Sequence, residues 1–524
     1  MGTRLRPTSP RKKGAWLALV LLPLFLLATR VSFRRFLCGP QHRQTRSEAA
    51  AAPASAAGPP APFLSPDDVP PGCMRLERVC VDQQMVVMMD EQYSAQALPQ
   101  LPLPQWAPQA HYAFPWTSDS NPDIWASGCI LLQASMEQPV TLPSVRFRAA
   151  GKLEPTPDLQ HPNFDNNTLP LLFSPNWQEN FAHTLGNSAA WLHYALHVRN
   201  LSWVHRAALV VHTPFGMALP AHWQPLVGPI VPAQPIQSFA DFSDRSRSNL
   251  DSNSQVSGLK GRCFAQMLFC NGSLFEDEAI NLSQAAQFVV RHYEPSLPAT
   301  PLKYSGSTDV SGNGATRVLR VLFITRSPKV AVRQILNMDE LLERCQGWKY
   351  TDPASSVHFA AECGVWQPGA DLPLNIAAVR SADVVIGRHG AGMTNAFFMR
   401  EGGAMVEIHS SGWVWQLFCG WRDREEPPML QWWGLTVEDP ALLSPGQYEL
   451  DGNPLMYRVQ TKEKKGRDAN MHVPWAGLAH VLEQYAGVQA AGGMPAYQAR
   501  RKREKTVSYI LRQGDVVRPG PMYG

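Results

Sequence analysis

Histidine, arginine and three glycines meet in one short run, Asp383-Val-Val-Ile-Gly-Arg-His-Gly-Ala-Gly-Met-Thr-Asn-Ala-Phe-Phe-Met399. Val384, Val385 and Ile386 form the short β-branched run of an interior strand. Gly387, Gly390 and Gly392 permit a tight turn and a close backbone approach to a ligand. A helix expected to open near Ala391 would aim free N–H groups and the positive end of its dipole at whatever lies on the turn; an anion suits that position best. Arg388 adds a permanent positive charge there and His389 a switchable one. The chemistry predicted is a diphosphate cradle, its backbone supplied by Gly390, Ala391 and Gly392. Thr394 and Asn395, in the first helical turn, either touch phosphate or cap the helix. The run is neither a Walker loop, lacking Gly-Lys-Ser/Thr, nor G-x-G-x-x-G. A strand-to-helix turn without a ligand has the same spacing, so that alternative stays open.

Three further stretches accompany it: Asn176-Trp-Gln-Glu-Asn-Phe-Ala-His183; Ile324-Thr-Arg326 followed by Arg333 and Asn337-Met-Asp-Glu340; and Ala404-Met-Val-Glu-Ile408. With the His-Gly-Ala-Gly core, these resemble the signature of glycosyltransferase family 61, which includes plant β-1,2-xylosyltransferases and the EGF-domain-specific O-GlcNAc transferase. The resemblance covers roughly residues 170 to 485. Two positions depart from it: Asn187, where members often carry Asp, and Met338, where they often carry an acidic residue. It implies an α/β fold of the glycosyltransferase-B type, two Rossmann-like lobes facing a cleft. The implied activity is inverting transfer of a sugar, xylose before N-acetylglucosamine, from a uridine diphosphate donor to a glycan or glycoprotein. N-acetylglucosaminyl transfer to protein and a non-catalytic glycan-binding relative are the alternatives. A hydrolase has little support, since no Gly-x-Ser-x-Gly elbow occurs.

A transferase of this kind must neutralise a leaving diphosphate, hold a nucleoside and deprotonate an acceptor hydroxyl. The chain has no Asp-x-Asp, so helix N-termini and fixed cations, with no divalent metal or other cofactor, are expected to stabilise the leaving group. Arg326 follows a buried strand and should emerge at the carboxyl edge of a sheet, suited to bidentate phosphate contact. Arg333 is a second cation, and Asn337 of the same stretch joins the donor side while capping the next helix. Glu407 ends a strand and could accept both ribose hydroxyls. His183 is the candidate catalytic base, with Glu179 one helical turn earlier to orient it. Each of these residues also has a purely structural reading: a surface Arg, a salt-bridged Glu, a satisfied core His. His193 and His197 have the i, i+4 spacing of zinc ligands, but Tyr194 stands where a metalloprotease has Glu, so no metal site is expected.

The elements that must hold these groups alternate plainly after residue 316. A strand from Val318 to Ile324 precedes helices around Met338–Cys345 and Ile376–Arg380. The cradle, a strand at Met405–Ile408, a helix through Trp413–Trp421 and a last helix near Trp475–Tyr485 follow. Such alternation implies a parallel sheet with helices on both faces. Upstream, Ala207–His212 reads as a buried strand, Phe181–Val198 as a helix, and Gln237–Gly261 as a long polar loop. Ser305-Gly-Ser-Thr-Asp-Val-Ser-Gly-Asn-Gly314 reads as a hinge.

A chain of 524 residues is long enough for two packed lobes and tails. With 47 basic and 43 acidic residues, a net charge of +4 is too balanced to imply a nucleic-acid partner. Basic residues flank an apolar run from Ala15 to Ala28, which as a helix spans about 21 Å. That length also fits a cleaved signal peptide, which stays the alternative, but no small-x-small cleavage site follows closely, and the greater N-terminal charge places that end of an anchor in the cytosol. The expected plan is a cytosolic tail (1–13), a signal anchor (14–37), a Pro/Ala-rich stem (38–72), an acceptor-side lobe (73–304), a linker (305–315), a nucleotide-sugar lobe (316–499) and a basic, mobile tail (500–524). That is the layout of a type II Golgi membrane enzyme with a lumenal head, or one of the ER. Eight of nine cysteines fall in the lumenal part; Cys73 with Cys80 and Cys263 with Cys270 are the sequence-local pairs.

Overall fold

A computed structural model describes residues 64–82, 85–89, 146–149, 162–175, 180–199, 201, 203–213, 219–231, 236–244, 263–272, 280–300, 302, 316–328, 332–410, 418, 428–444, 469–504 and 507–517. The expected cytosolic tail, anchor, most of the stem, the linker and the helix through Trp413–Trp421 (Phe418 apart) lie outside these residues. Among the described residues no helix is long and apolar enough to cross a membrane.

The first sheet is built from β1 (Cys73–Asp82), β2 (Met85–Met88), β3 (Arg146–Ala149), β4 (Leu169–Pro175), β5 (Ala207–Val211), β6 (Gln237–Ser238) and β7 (Cys263–Gly272). Their order is β3-β2-β1-β7-β4-β5-β6, with Phe164–Asp165 pairing alongside β7. Strands β7, β4, β5 and β6 run parallel. Counted from β4, they have the 3-2-1-4 order of half a Rossmann sheet, whose switch point lies between β4 and β7. The Rossmann-like expectation for this lobe therefore needs correction: β1 pairs antiparallel to both β7 and β2, extending the sheet beyond the wound part. The polar loop expected from residue 237 begins instead as β6 and a helical turn, Phe239–Phe242, because Phe239 and Phe242 are buried.

The local cysteine pairs are also overturned. Cys73 and Cys80 lie seven residues apart on one extended strand, about 23 Å at 3.3 Å per residue, too far to bond. Antiparallel register places Cys73 opposite Cys270 and Cys80 opposite Cys263, and those are the disulfides, with Cys345–Cys363 a third. Non-reducing peptide mapping is expected to recover Cys73 joined to Cys270; a Cys73–Cys80 peptide would contradict the register. Removing either cross-strand bond should cost about 2–5 kcal/mol in chemical denaturation.

The fold also begins before the expected end of the stem. Leu64 is buried and its N–H donates to Gln266 Oε1 at 3.0 Å. Trp203 Nε1 donates to the Asp68 carbonyl at 3.0 Å. Residues 64–72 thus belong to the first lobe.

The second sheet contains β8 (Thr316–Ile324), β9 (Lys349–Thr351), β10 (His358–Trp366), β11 (Val384–Arg388), β12 (Ala404–Ser410), β13 (Gln431–Val437), β14 (Ser508–Arg512) and β15 (Asp515–Val517), in the order β9-β10-β8-β11-β12-β13-β14-β15. From β10 to β14 every pairing is parallel. The parallel strands have the 2-1-3-4-5 order of a doubly wound sheet, extended by β14, with the switch point between β8 and β11. Helices Met338–Gln346, Leu372–Arg380 and Trp475–Ala490 agree with the periodicity read from sequence. The basic tail does not. Helix Met494–Glu504 and strands β14 and β15 complete the sheet, because Val507, Tyr509 and Leu511 alternate into the core beneath the charged residues.

One apolar core runs from Leu171 in β4 to Leu511 in β14, so the two sheets share their interior. Helix Leu282–Tyr293 is the clasp. Gln287 Nε2 donates to the carbonyls of Phe397 and Met399 at 3.2 and 2.9 Å, while its Oε1 accepts from Arg380 at 3.3 Å.

Candidate active site

The carboxyl ends of β8 and β11, flanking the switch point, carry the predicted cations and the glycine turn. Ile324 is in register with Gly387, so Arg326 leaves β8 beside the segment 388–392 that leaves β11. Gly390 has φ 157° and ψ 172°, a region that side chains avoid. A Cβ there would also run into the Arg326 guanidinium, with Arg333 Nη1 3.5 Å away. Arg333 is buried, has a left-handed backbone (φ 57°), and donates from Nη1 to the His389 carbonyl at 3.4 Å. A buried cation on a non-glycine left-handed residue has the character of a functional position rather than a packing one. Arg326, Arg333 and Gly390 therefore converge as the sequence predicted.

Beside them lies a cavity of about 240 Å³. Arg326, Arg333 and Arg388 bring positive charge to it, and Ile335, Met338 and Pro368 supply apolar wall. Ala391 and Gly392 line it too. The glycines have separate duties. A Cβ on Gly387 would meet Met393 Sδ at 2.5 Å and the Ile324 carbonyl at 3.2 Å, so Gly387 serves strand packing. A Cβ on Gly392 would make only ordinary contacts, 3.5 Å to Ile324 and 3.8 Å to Pro368. Gly392→Ala should therefore fold normally yet weaken UDP binding by narrowing the cavity; equal affinity in calorimetry would remove Gly392 from the ligand site.

The turn opens a 3₁₀ helix, Ala391–Phe398, rather than the expected α-helix. Clamped between the lobes, residues 393–398 are all buried. Thr394 and Asn395 point inward: Asn395 Nδ2 donates to the Gly392 carbonyl at 2.9 Å, and neither residue lines the cavity. Of the two roles open to them, phosphate contact or capping, burial in the turn away from the cavity favours the second. Asn337 is corrected. Its Oδ1 accepts from Val473 N at 2.9 Å and its Nδ2 donates to the Val473 carbonyl at 3.0 Å, tying helix Met338–Gln346 to a neighbouring segment. It stands at the helix N-cap without a side-chain cap.

Glu407 is the largest departure. Expected at a ribose, it is wholly buried, because β12 is an interior strand covered on both faces. Its Oε1 is hydrogen-bonded to His389 Nδ1, and its Oε2 accepts from Trp432 Nε1 at 2.7 Å, with His409 Nε2 at 3.5 Å. His409 and Trp432 were missed by sequence reading; His409 stands two residues after Glu407 on the same strand, the spacing that puts both on one face. His389, Glu407 and His409 have the composition of a metal set. Yet both Glu407 oxygens are already hydrogen-bonded, the arrangement of a proton-holding network. Burial pushes His389 down to about 4, opposed by Glu407 and reinforced by His409 and Arg333. Although burial alone would raise it, Glu407 is held below the ordinary carboxylate range by the His409 and His389 rings.

His183 comes from the other lobe. It follows the switch-point strand β4, in a continuous helix of alternating turns: α at Phe181–His183, π at Thr184–Ala189, α at Ala190–His193 and π at Tyr194–Val198. π-turns gather at functional sites. Asn180 caps the start, its side chain accepting from Ala182 N. The Phe181 and Phe398 rings lie 6.5 Å apart, which brings this helix against the cradle. Asn187, at the departing position, places Nδ2 3.1 Å from His183 Nδ1. Burial, and then the positive charge His389 can carry, lower His183 to about 4; the two histidines are thus within electrostatic reach across the lobes. Glu179 lies outside the described residues. His193 and His197 stack on each other and pack against Phe288, and His197 Nε2 is 2.7 Å from the Ile230 carbonyl.

His183, His193, His212 and His389 are all depressed by burial to about 4. Between that value and the ordinary 6.5 of the unfolded chain, the unfolded state binds more protons, so stability falls as pH falls. The melting temperature should hold above about pH 6.5 and drop steadily toward pH 4; a flat profile would contradict this burial.

Residues 164–406 match the family model for Glycosyltransferase 61. That span contains β4, His183, Arg326, Arg333 and the cradle, and ends at the strand bearing Glu407. Over that span, a little under half of the chain, the sequence is similar to glycosyltransferase family 61. It is also 33% identical over 89 residues to the beta-1,2-xylosyltransferase XAX1 of Oryza sativa subsp. japonica. The match covers 17% of this chain and 13% of the rice protein.

Proposed function

We propose that the protein is an inverting glycosyltransferase of the B type, moving a sugar from a UDP-sugar to a glycan or glycoprotein without a divalent metal. The observation that carries this reading is the convergence of Arg326 and Arg333 on the backbone of Gly390, at the switch point of the second sheet. The diphosphate lies along Gly390–Gly392 against the two guanidiniums, with the nucleoside toward Ile335, Met338 and Pro368. The acceptor approaches from the first lobe. Its oxygen attacks the anomeric carbon, neutral His183 takes the hydroxyl proton, and the bond to the β-phosphate oxygen breaks with its electron pair leaving on UDP. Arg326 and Arg333 offset that charge where it develops. Glu407 acts through His389 and does not touch ribose. The rice relative makes xylose the first donor to try, N-acetylglucosamine the second. The N-terminal anchor and stem fit a single-pass protein of the Golgi or ER membrane with its catalytic head in the lumen.

Release of UDP by the purified protein from UDP-xylose, UDP-N-acetylglucosamine and UDP-arabinose, with acceptor glycoproteins and with or without EDTA, tests this reading. Turnover of one donor, unchanged by chelator, is expected. Loss with EDTA and restoration by manganese would defeat the metal-free mechanism. Donor binding without UDP release would make the protein a glycan-binding relative.

A further inference from the structure

The cavity beside the glycine turn reaches toward β10. Its lining passes from Ala391 and Gly392, after β11, across Thr325 and Arg326, after β8, to Gln367 and Pro368, after β10. Among the described residues, none of β12 or of the first lobe lines it. A diphosphate on the turn therefore sends its nucleoside toward β10, while the sugar, which must meet an acceptor from the first lobe, points out of the cavity. Gln367 stands where that nucleoside arrives. Thr325 N donates to the Trp366 carbonyl at 2.9 Å, so Arg326 and Gln367 leave adjacent strands side by side. The loop carrying Gln367 is fixed by one buried amide, that of Asn375 in helix Leu372–Arg380. Asn375 Oδ1 accepts from Trp366 Nε1 at 3.2 Å and from Gly369 N at 3.1 Å, and its Nδ2 donates to the Gly369 carbonyl at 2.9 Å. Those bonds bracket Gln367 and Pro368 in sequence. Gln334, the other amide in the lining, is committed to the Ser327 carbonyl at 2.9 Å. The Gln367 side chain is exposed and makes no hydrogen bond among the described residues.

We propose that Gln367 holds the ribose of the donor nucleotide through its hydroxyls, and that Asn375 is the positioning residue that presents Gln367 to it. This rests on the proposed donor site and deepens it, by assigning the ribose contact that Glu407 does not make. In dinucleotide-binding sheets a residue at the end of the second strand takes the ribose hydroxyl, usually with a carboxylate. β10 is the second strand of the 2-1-3-4-5 order here, and Gln367 is the first residue beyond its end. An amide offers a ribose both a donor and an acceptor. Unlike a carboxylate, it adds no negative charge beside a diphosphate.

Binding of UDP, 2′-deoxy-UDP and 3′-deoxy-UDP to the full-length protein, measured by calorimetry, tests the proposal. Wild-type protein should prefer UDP over at least one deoxy analogue by about three- to tenfold, the range for one neutral hydrogen bond. Gln367→Ala removes an exposed side chain, so the melting temperature should hold. UDP should then bind about three- to tenfold more weakly, and the preference over the analogue should vanish. Asn375→Ala should shrink the same preference while leaving affinity for the disfavoured analogue close to wild type. Equal weakening of all three nucleotides in Asn375→Ala would make its role structural and overturn the positioning. Gln367→Ala decides the ribose contact alone if Asn375→Ala fails to fold. A preference that survives in Gln367→Ala, or a loss there shared equally by UDP and both analogues, would overturn the proposal and leave the donor site standing. Wild-type protein that binds UDP and both analogues equally would do the same. Absence of UDP binding would overturn the donor site itself, and this proposal with it.

Discussion

Arg326→Ala is expected to lower kcat/KM for sugar transfer by about 10²–10³, the cost of removing one preorganised donor to a developing oxyanion. The side chain is only partly buried and follows the end of β8, so its truncation leaves the apolar core intact and the melting temperature should change little. The loss should appear in kcat as well as in KM, because the charge on the departing β-phosphate grows as the sugar–oxygen bond breaks. Arg326→Lys should recover only part of it, since an ammonium lacks the planar fork that can hold two phosphate oxygens. Turnover unchanged in Arg326→Ala would remove this residue from the site.

His183→Asn is expected to cost about 10²–10⁴ in kcat while UDP binding is retained, the usual range for a general base. Its pH signature follows from a ring lowered to about 4 by burial and by the neighbouring His389. The neutral ring is the active form, so kcat at saturating donor should be level from neutral pH down to about 5 and fall through about 4. That limb should disappear in His183→Asn. A wild-type limb near 6.5 would mean an exposed, ordinary histidine, and would contradict the buried geometry.

Strand–helix alternation made the second sheet legible in the sequence. β-branched runs and turn glycines bounded β8, β11 and β12 to within a few residues. The glycine turn after β11 was legible for the same reason, because glycine spacing and adjacent charge are local properties. Pairings set by distant strands were not. Cys73 meets Cys270 only through the register of β1 on β7, and nothing near either cysteine encodes that register. Glu407 failed differently. A carboxylate in the family stretch suggested a ligand contact, but its burial depends on Trp432 and His409, and only the packing of β12 beside β13 reveals it. The tail erred through composition: Arg501, Lys502 and Arg503 dominate the segment, while the alternating Val507, Tyr509 and Leu511 behind them build an interior strand.

The central claim is that cations and backbone of the second lobe hold the departing diphosphate. A crystal structure with UDP bound tests it most directly. The account predicts the diphosphate on the backbone of Gly390–Gly392, with Arg326 and Arg333 within hydrogen-bond distance of its oxygens. UDP seated elsewhere, or a metal ion bridging its phosphates to protein carboxylates, would contradict it.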